Sequence, residues 1–218
     1  MLTLYEELFL LALDEERGNI FSFARQSLPY SLAGGILAEL ALAGKLSAGE
    51  KLRLVLCEST PLGDPILDGA LEQICLAEKN RKPAYWISYL SEDAKKLRHS
   101  VGESLVRKNV LIQDEKRFFR QVCSAEETPP AAPEKFEMKR RLRALILSNG
   151  ENDLRNLVLL KMMAAGNLLG LIFTQDELIT AAQMIHKKFL AAALGNTVMQ
   201  VFEEIEHAVC SVREDETS

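Results

Sequence analysis

The stretch SLAGGILAELALAGKL, from Ser31 to Leu46, decides the fold of this 218-residue chain. Leu32, Ile36 and Leu40 recur at helical spacing and form one apolar stripe. The opposite face is Ala and Gly rather than charged residues, and a helix that is apolar nearly all round is normally buried on most sides. The stretch therefore predicts a central core helix around which the other elements pack.

Proline and glycine mark the limits of this helix. Pro29 stands just before it and Gly44 just after it, which is the usual placement of helix start and stop residues. Inside the helix, Gly34 and Gly35 lower the helix propensity. This pair of glycines indicates that another backbone approaches closely at this point.

The remaining patterns predict a mainly α fold. Capping residues ahead of amphipathic runs predict helices that begin near Thr3–Glu6, Asp64–Pro65, Pro83, Ser91, Met138, Asp153, Thr174–Glu177 and Val198. Short apolar runs predict strands at 51–57, 110–113 and 117–123, the last two joined as a β-hairpin. We expect a single globular domain over residues 1–218, with a core helical bundle, surrounding amphipathic helices, short strands and one β-hairpin. Residues 213–218 should form a polar tail.

The sequence predicts a specific structure or location for three further segments. The first helix, expected from Leu4 to Leu13, has one apolar face that should point inward. Ser124–Pro133 contains three prolines and predicts an extended loop. The connector LLGLIF, Leu168–Phe173, has two interpretations: a loop that touches a membrane, or a piece of the core, which is the commoner role of such a connector.

The composition and the net charge limit the classes of function that are compatible with this chain. Hydrophobic residues make up 48% of the chain and the net charge is −5, so there is no overall basic field for nucleic acid. No apolar run reaches the about 18 residues of a membrane span. Leu8–Leu13 follows two glutamates rather than basic residues, so no signal peptide is expected. Four scattered cysteines without CxxC indicate reduced thiols in a cytoplasmic protein.

Sequence motifs for catalysis are absent from the chain. It contains no GxGxxG, GxxxxGKS/T, HExxH or GxSxG. His99, His186 and His207 lie far apart, without a partner at metal-ligand spacing. We therefore expect no enzyme, no metal site and no cofactor.

The basic residues occur in four clusters, and these clusters are more informative about function than the catalytic motifs. The clusters are Lys95, Lys96 and Arg98; Arg107 and Lys108; Lys116, Arg117 and Arg120; and Lys139, Arg140, Arg141 and Arg143. Each cluster is either a solvated face or part of an anion site. Lys95 and Arg98 are one helical turn apart and project together, and two converging cations can hold a phosphate.

Five segments in order resemble the Golgi phosphoprotein 3 family. They are Leu2–Leu13, Leu32–Gly34 with Ala38–Leu46, Gly63–Leu71, Trp86–Ile87 and Leu105–Leu111. The resemblance implies a mostly helical domain that associates peripherally with the cytosolic face of a membrane by binding phosphatidylinositol 4-phosphate. It also implies cytoplasmic tails of membrane proteins as partners, and homo-oligomer contacts through the hairpin that matches Val110–Cys123. Compared with the family, the chain is compact, which suggests a prokaryotic member; a Golgi location would require a eukaryotic one.

The lipid-binding residues of the family can be matched one by one to positions in this sequence. Its two Arg residues on the helix before the hairpin match Lys95 and Arg98. Its Trp and Arg near the start of the central helix are replaced here by Ala24 and Ala33, and Arg25 adjoins the first of these. The resemblance therefore implies that Lys95, Arg98 and Arg25 bind an anionic phospholipid headgroup.

Two other functions are compatible with the sequence. Because Ala24 and Ala33 remove part of the family site, the chain is alternatively a protein-interaction or scaffolding domain without specific lipid binding. The order helix, helix, strand pair over Ser91–Cys123 is also typical of a winged-helix nucleic-acid binder. The negative net charge argues against nucleic acid.

Overall fold

The computed structural model describes residues 1–14, 16–113, 119–121, 133–148, 153–193 and 197–215. The α-helices are α1 (Leu4–Ala12), α2 (Leu28–Leu42), α3 (Pro65–Leu76), α4 (Pro83–Ser91), α5 (Ala94–Arg107), α6 (Pro133–Leu147), α7 (Leu154–Ala165), α8 (Leu178–Ala193) and α9 (Thr197–Asp215). The antiparallel strand pairs are β1 (Leu13–Asp14) with β2 (Asn19–Ile20), β3 (Leu46–Ala48) with β4 (Leu54–Leu56), and β5 (Leu111–Gln113) with β6 (Phe119–Gln121). The expected mainly α fold is confirmed.

Helix α2 lies at the centre, as its sequence predicts. It contacts α1, α3, α4, α5, α7 and α9, and Leu32 and Leu37 are fully buried. The helix begins at Leu28, with the expected start residue Pro29 inside its first turn. A Cβ added at Gly35 would lie 3.3 Å from the backbone nitrogen of Tyr5. The expected close backbone approach is therefore confirmed at Gly35, where α1 makes it, whereas the neighbours of Gly34 are side chains of α7 and α9.

Helix α1 is buried on all sides, so the expectation of a single inward face is wrong. Its glutamates tolerate burial because cations from distant elements reach them. The Glu6 carboxylate is 2.7 Å from Lys108 Nζ and accepts a 2.7 Å hydrogen bond from Ser104 Oγ. The Glu7 carboxylate is 3.2 Å from Arg141. Pairing of this kind offsets part of the desolvation cost, although burial still raises the pKa of Glu7.

Two helix starts differ from the sequence expectation. Ser91 does not cap α5; it ends α4, and its hydroxyl donates to the Ile87 carbonyl at 2.7 Å. The cap is Asp93, whose carboxylate accepts from the Lys96 N–H at 2.9 Å. Helix α6 begins at Pro133 rather than Met138, since proline is well tolerated in the first turn of a helix.

The strand expected at 51–57 is shorter in the structure and covers only β4. Lys51 and Leu52 adopt positive φ angles of 55° and 57° within a 3₁₀ turn, which interrupts the extended conformation. Within the described residues, the expected hairpin is confirmed as the antiparallel pair of β5 and β6, in which Leu111 lies opposite Gln121 and Gln113 opposite Phe119. Residues 114–118, where the hairpin turn was expected, and residues 122–132, which include most of the expected proline-rich loop, lie outside the described residues.

The LLGLIF connector belongs to the core. Leu168, Leu169, Leu171, Ile172 and Phe173 are all buried. The interpretation of this connector as a membrane-touching loop is therefore wrong. The first three residues of the expected polar tail, 213–215, instead belong to α9, which extends to Asp215.

The ion pair between Glu177 and Arg143 should make the stability of the folded protein depend on pH. Its carboxylate receives two hydrogen bonds from the Arg143 guanidinium, at 2.7 and 2.8 Å, and one from the Thr174 N–H at 2.8 Å. Hydrogen bonding to Arg143, its largest cause, lowers the pKa of Glu177 to about 2. A lowered carboxyl pKa favours the folded state above the unfolded value of 4.5, and this contribution disappears as the pH falls towards 2.

We therefore expect Glu177→Gln to be less stable than the wild type at neutral pH, with the difference shrinking between pH 4.5 and 2. Denaturant unfolding at several pH values measures this difference. A difference that stays constant across that interval would show that the ion pair is not its source.

Candidate functional site

A cavity of about 350 Å³ opens between the end of α1, the β1–β2 turn, the start of α5 and the hairpin. Its lining falls into two sets. The buried floor consists of Phe9, Leu13, Ile20 and Phe119. The rim carries Arg25, Lys95, Arg98 and His99. This volume is in the usual range of small-ligand sites, from about 300 to 1,000 Å³.

The floor is held in place by contacts between α1 and the hairpin. Phe9 packs edge-to-face on Phe119, with ring centroids 5.8 Å apart. The Phe119 N–H donates to the Gly18 carbonyl at 2.9 Å, which ties the hairpin to the β1–β2 turn. A Cβ added at Gly102 would come within 2.3 Å of the Phe119 ring. A glycine at this point of α5 therefore lets the hairpin close the cavity.

Backbone carbonyls hold the two arginines of the rim. Arg25 Nε donates to the Ile20 carbonyl at 3.2 Å, and Arg98 Nη1 donates to the Arg25 carbonyl at 3.1 Å. Each guanidinium has five N–H donors, so most of them stay available for a ligand. Burial, and then the charge of Arg25, lowers the pKa of Arg98. The two guanidinium charges thus repel each other, and a bound anion would relieve this repulsion.

Within the part of the chain that the structure describes, no carboxylate forms an ion pair with Arg25, Lys95 or Arg98. Other predicted basic clusters contain cations that do have acidic partners. The pairs are Lys108 with Glu6, Arg140 with Glu137, Arg141 with Glu7, and Arg143 with Glu177. Among the described residues, the three cations of the cavity therefore keep their positive charge, whereas glutamates neutralise the cations of the other clusters that are paired in this way.

The structure brings together the three residues that the sequence singled out. Arg25, Lys95 and Arg98 line the same cavity although they come from two separate elements. Ala24 and Ala33, at the family's Trp and Arg positions, are fully buried and do not line it. Sequence reasoning missed His99, which directly follows Arg98 and whose Nε2 lies 3.2 Å from the Glu103 carboxylate. It also missed the apolar floor.

A comparison with known protein families assigns the chain to a family. The chain belongs to the Golgi phosphoprotein 3 family, whose model matches residues 4–201. The expected family membership is thereby confirmed.

Two relatives are both called vacuolar protein sorting-associated protein 74. The protein from Schizosaccharomyces pombe is 31% identical over 137 residues, which is 54% of this chain and 40% of the relative. The protein from Eremothecium gossypii is 29% identical over 141 residues, 54% of this chain and 41% of the relative. The matches thus cover about two fifths of these relatives. Among the described residues, none of the helices has the length and apolar character needed to cross a bilayer.

Proposed function

We propose that this protein is a peripheral membrane adaptor that binds an anionic phosphoinositide headgroup in the cavity between α1 and α5. Arg25, Lys95 and Arg98 are the contact residues. Phosphatidylinositol 4-phosphate is the headgroup that the family resemblance favours. The observation that carries the proposal is the convergence of three cations, without a carboxylate partner among the described residues, on one cavity.

The chemistry of the lining suits a phosphorylated sugar-like ring. The planar guanidinium groups of Arg25 and Arg98 can each bind a phosphate through two N–H donors, and Lys95 adds a point charge. The floor of Phe9, Ile20 and Phe119 offers apolar surface to the ring carbons of inositol. This floor also limits the access of water, which strengthens the charge interactions above it.

The remaining parts of the proposal concern partners and location. The name of the two relatives refers to vacuolar protein sorting. By analogy, we propose that this chain works on the cytosolic face of a membrane and holds cytoplasmic tails of membrane proteins. The β5–β6 hairpin, on which Ile112 is exposed, is the proposed contact between copies of the chain.

Vesicle co-sedimentation tests the lipid proposal. We compare neutral vesicles, phosphatidylserine vesicles, and phosphatidylinositol 4-phosphate vesicles with the same total charge. The expected result is that the protein pellets preferentially with the last. Equal pelleting with both anionic vesicles would indicate adsorption by charge alone and contradict a headgroup site. No pelleting with any vesicle would contradict membrane binding and favour the protein-interaction function.

A further inference from the structure

Phe23 is an exposed aromatic residue beside the cationic cavity. It lies in the 3₁₀-helix Ser22–Ala24, and 59% of its surface is accessible to solvent. Single exposed apolar residues are normal on protein surfaces and imply nothing by themselves. The surroundings of Phe23 distinguish it from such residues.

The backbone around Phe23 is firmly anchored. The Phe21 N–H donates to the Ala12 carbonyl at 3.0 Å, and Ala24, on the other side, is fully buried. The rings of Phe21 and Phe23 stack with centroids 5.7 Å apart and an interplanar angle of 24°. Lys135 Nζ lies 5.4 Å from the Phe21 ring centroid, within the range of a cation–π contact. Phe23 is thus held outward by an ordered turn.

The position of this turn places Phe23 at the edge of the proposed headgroup site. Arg25, which lines the cavity, is two residues further along the chain. Two residues span at most about 7 Å between Cα atoms. The headgroup–acyl boundary into which apolar side chains of peripheral proteins insert is about 5 to 10 Å deep. A surface that brings the Arg25 guanidinium to a lipid phosphate can therefore bring the Phe23 ring into that boundary.

We propose that Phe23 inserts into the bilayer whose anionic headgroup occupies the cavity. This inference rests on the proposed function and adds the residue that gives affinity for the membrane rather than for the headgroup alone. A cationic cavity beside a protruding aromatic ring matches the two layers of an anionic membrane surface, which are charged phosphates and then apolar chains. A free phosphorylated ligand would occupy the cavity and leave Phe23 in water.

The substitution Phe23→Ala separates these two contributions. We expect its partition onto phosphatidylinositol 4-phosphate vesicles to fall about tenfold, the loss expected for the apolar area of one largely inserted phenyl ring. Its affinity for soluble inositol 1,4-bisphosphate, measured by calorimetry, should equal that of the wild type. The matched control is Tyr85→Ala, which should leave both quantities unchanged. Tyr85 is 46% exposed, stacks on Tyr89 and has Arg81 over its ring.

Other outcomes identify which idea fails. If Phe23→Ala partitions like the wild type while Lys95→Glu with Arg98→Glu loses binding, the insertion of Phe23 is wrong and the headgroup site stands. If Phe23→Ala also loses affinity for the soluble headgroup, Phe23 acts within the site rather than in the bilayer, and the inference is again wrong. If the wild-type protein binds no vesicle, the proposed function fails and the insertion fails with it.

A spectroscopic measurement tests insertion without a loss of binding. Trp86, the only tryptophan, is 3% exposed, so Phe23→Trp in a Trp86→Phe background adds one exposed reporter. We expect the fluorescence of this reporter to shift to the blue on phosphatidylinositol 4-phosphate vesicles and to be quenched by brominated acyl chains. A vesicle-bound variant whose reporter emission stays that of a water-exposed indole would overturn the inference.

Discussion

Reversal of two charges at the cavity, Lys95→Glu with Arg98→Glu, is expected to lower the affinity for phosphatidylinositol 4-phosphate vesicles by at least about 30-fold. Each basic residue near an anionic membrane contributes about 1 kcal/mol, so the removal of two accounts for this factor. The two new carboxylates add repulsion. Vesicle co-sedimentation over a range of lipid concentrations measures the change.

The matched control is Lys79→Glu with Lys187→Glu. Both lysines are exposed and neither lines the cavity, and this pair changes the net charge by the same amount. The control should therefore bind nearly as well as the wild type. If both double variants lose affinity equally, binding depends on overall charge and the cavity is not the site. Thermal unfolding of each variant verifies that it is folded.

The largest expected effect on stability is that of Lys108→Met. Its ammonium group pairs with Glu6, which is fully buried, while the lysine side chain itself is 35% exposed. Removal of the lysine leaves a buried carboxylate without its counter-charge, which typically costs about 3 to 5 kcal/mol. The Ser104 hydroxyl and the Thr3 N–H, which also donate to Glu6, reduce this cost towards the lower value. Urea unfolding measures the loss.

A double-mutant cycle identifies the source of this loss. Glu6→Gln removes the buried charge and keeps a hydrogen-bond acceptor, so the double variant with Lys108→Met should be more stable than Lys108→Met alone. Glu6→Gln by itself should cost less, because the partly exposed lysine can turn towards water. If the two single effects simply add, the buried charge is not the cause.

The parts of the fold that were predictable are those fixed by local patterns. The apolar character of α2 on nearly every side predicted its central position, and Asp64 was correctly expected to cap α3, where it accepts hydrogen bonds from the N–H groups of Ile66 and Leu67. The burial of Glu6 and Glu7 was not predictable in this way. Their cationic partners are distant in sequence: Lys108 directly follows α5, and Arg141 lies on α6. Hydrophobic periodicity contains no information about such pairs.

The candidate site was predictable only in part for the same reason. The spacing of Lys95 and Arg98 follows from helix geometry, and the family resemblance pointed to both residues and to Arg25. The apolar floor of the cavity forms because Phe9 contacts Phe119. This contact depends on the packing of α1 against the hairpin, which the sequence pattern does not show. The sequence also could not distinguish these cations from Arg141 or Arg143, whose charges are paired with glutamates of other elements.

The central claim is that the cavity between α1 and α5 binds an anionic headgroup. An NMR titration of the backbone amide resonances with soluble inositol 1,4-bisphosphate tests it most directly. We predict that the saturable shift changes concentrate at Gly18–Arg25, at Lys95–His99 and at Phe119, and that Lys95→Glu with Arg98→Glu abolishes them. Shifts that are absent from these residues, or that are largest on another face of the protein, would contradict the claim.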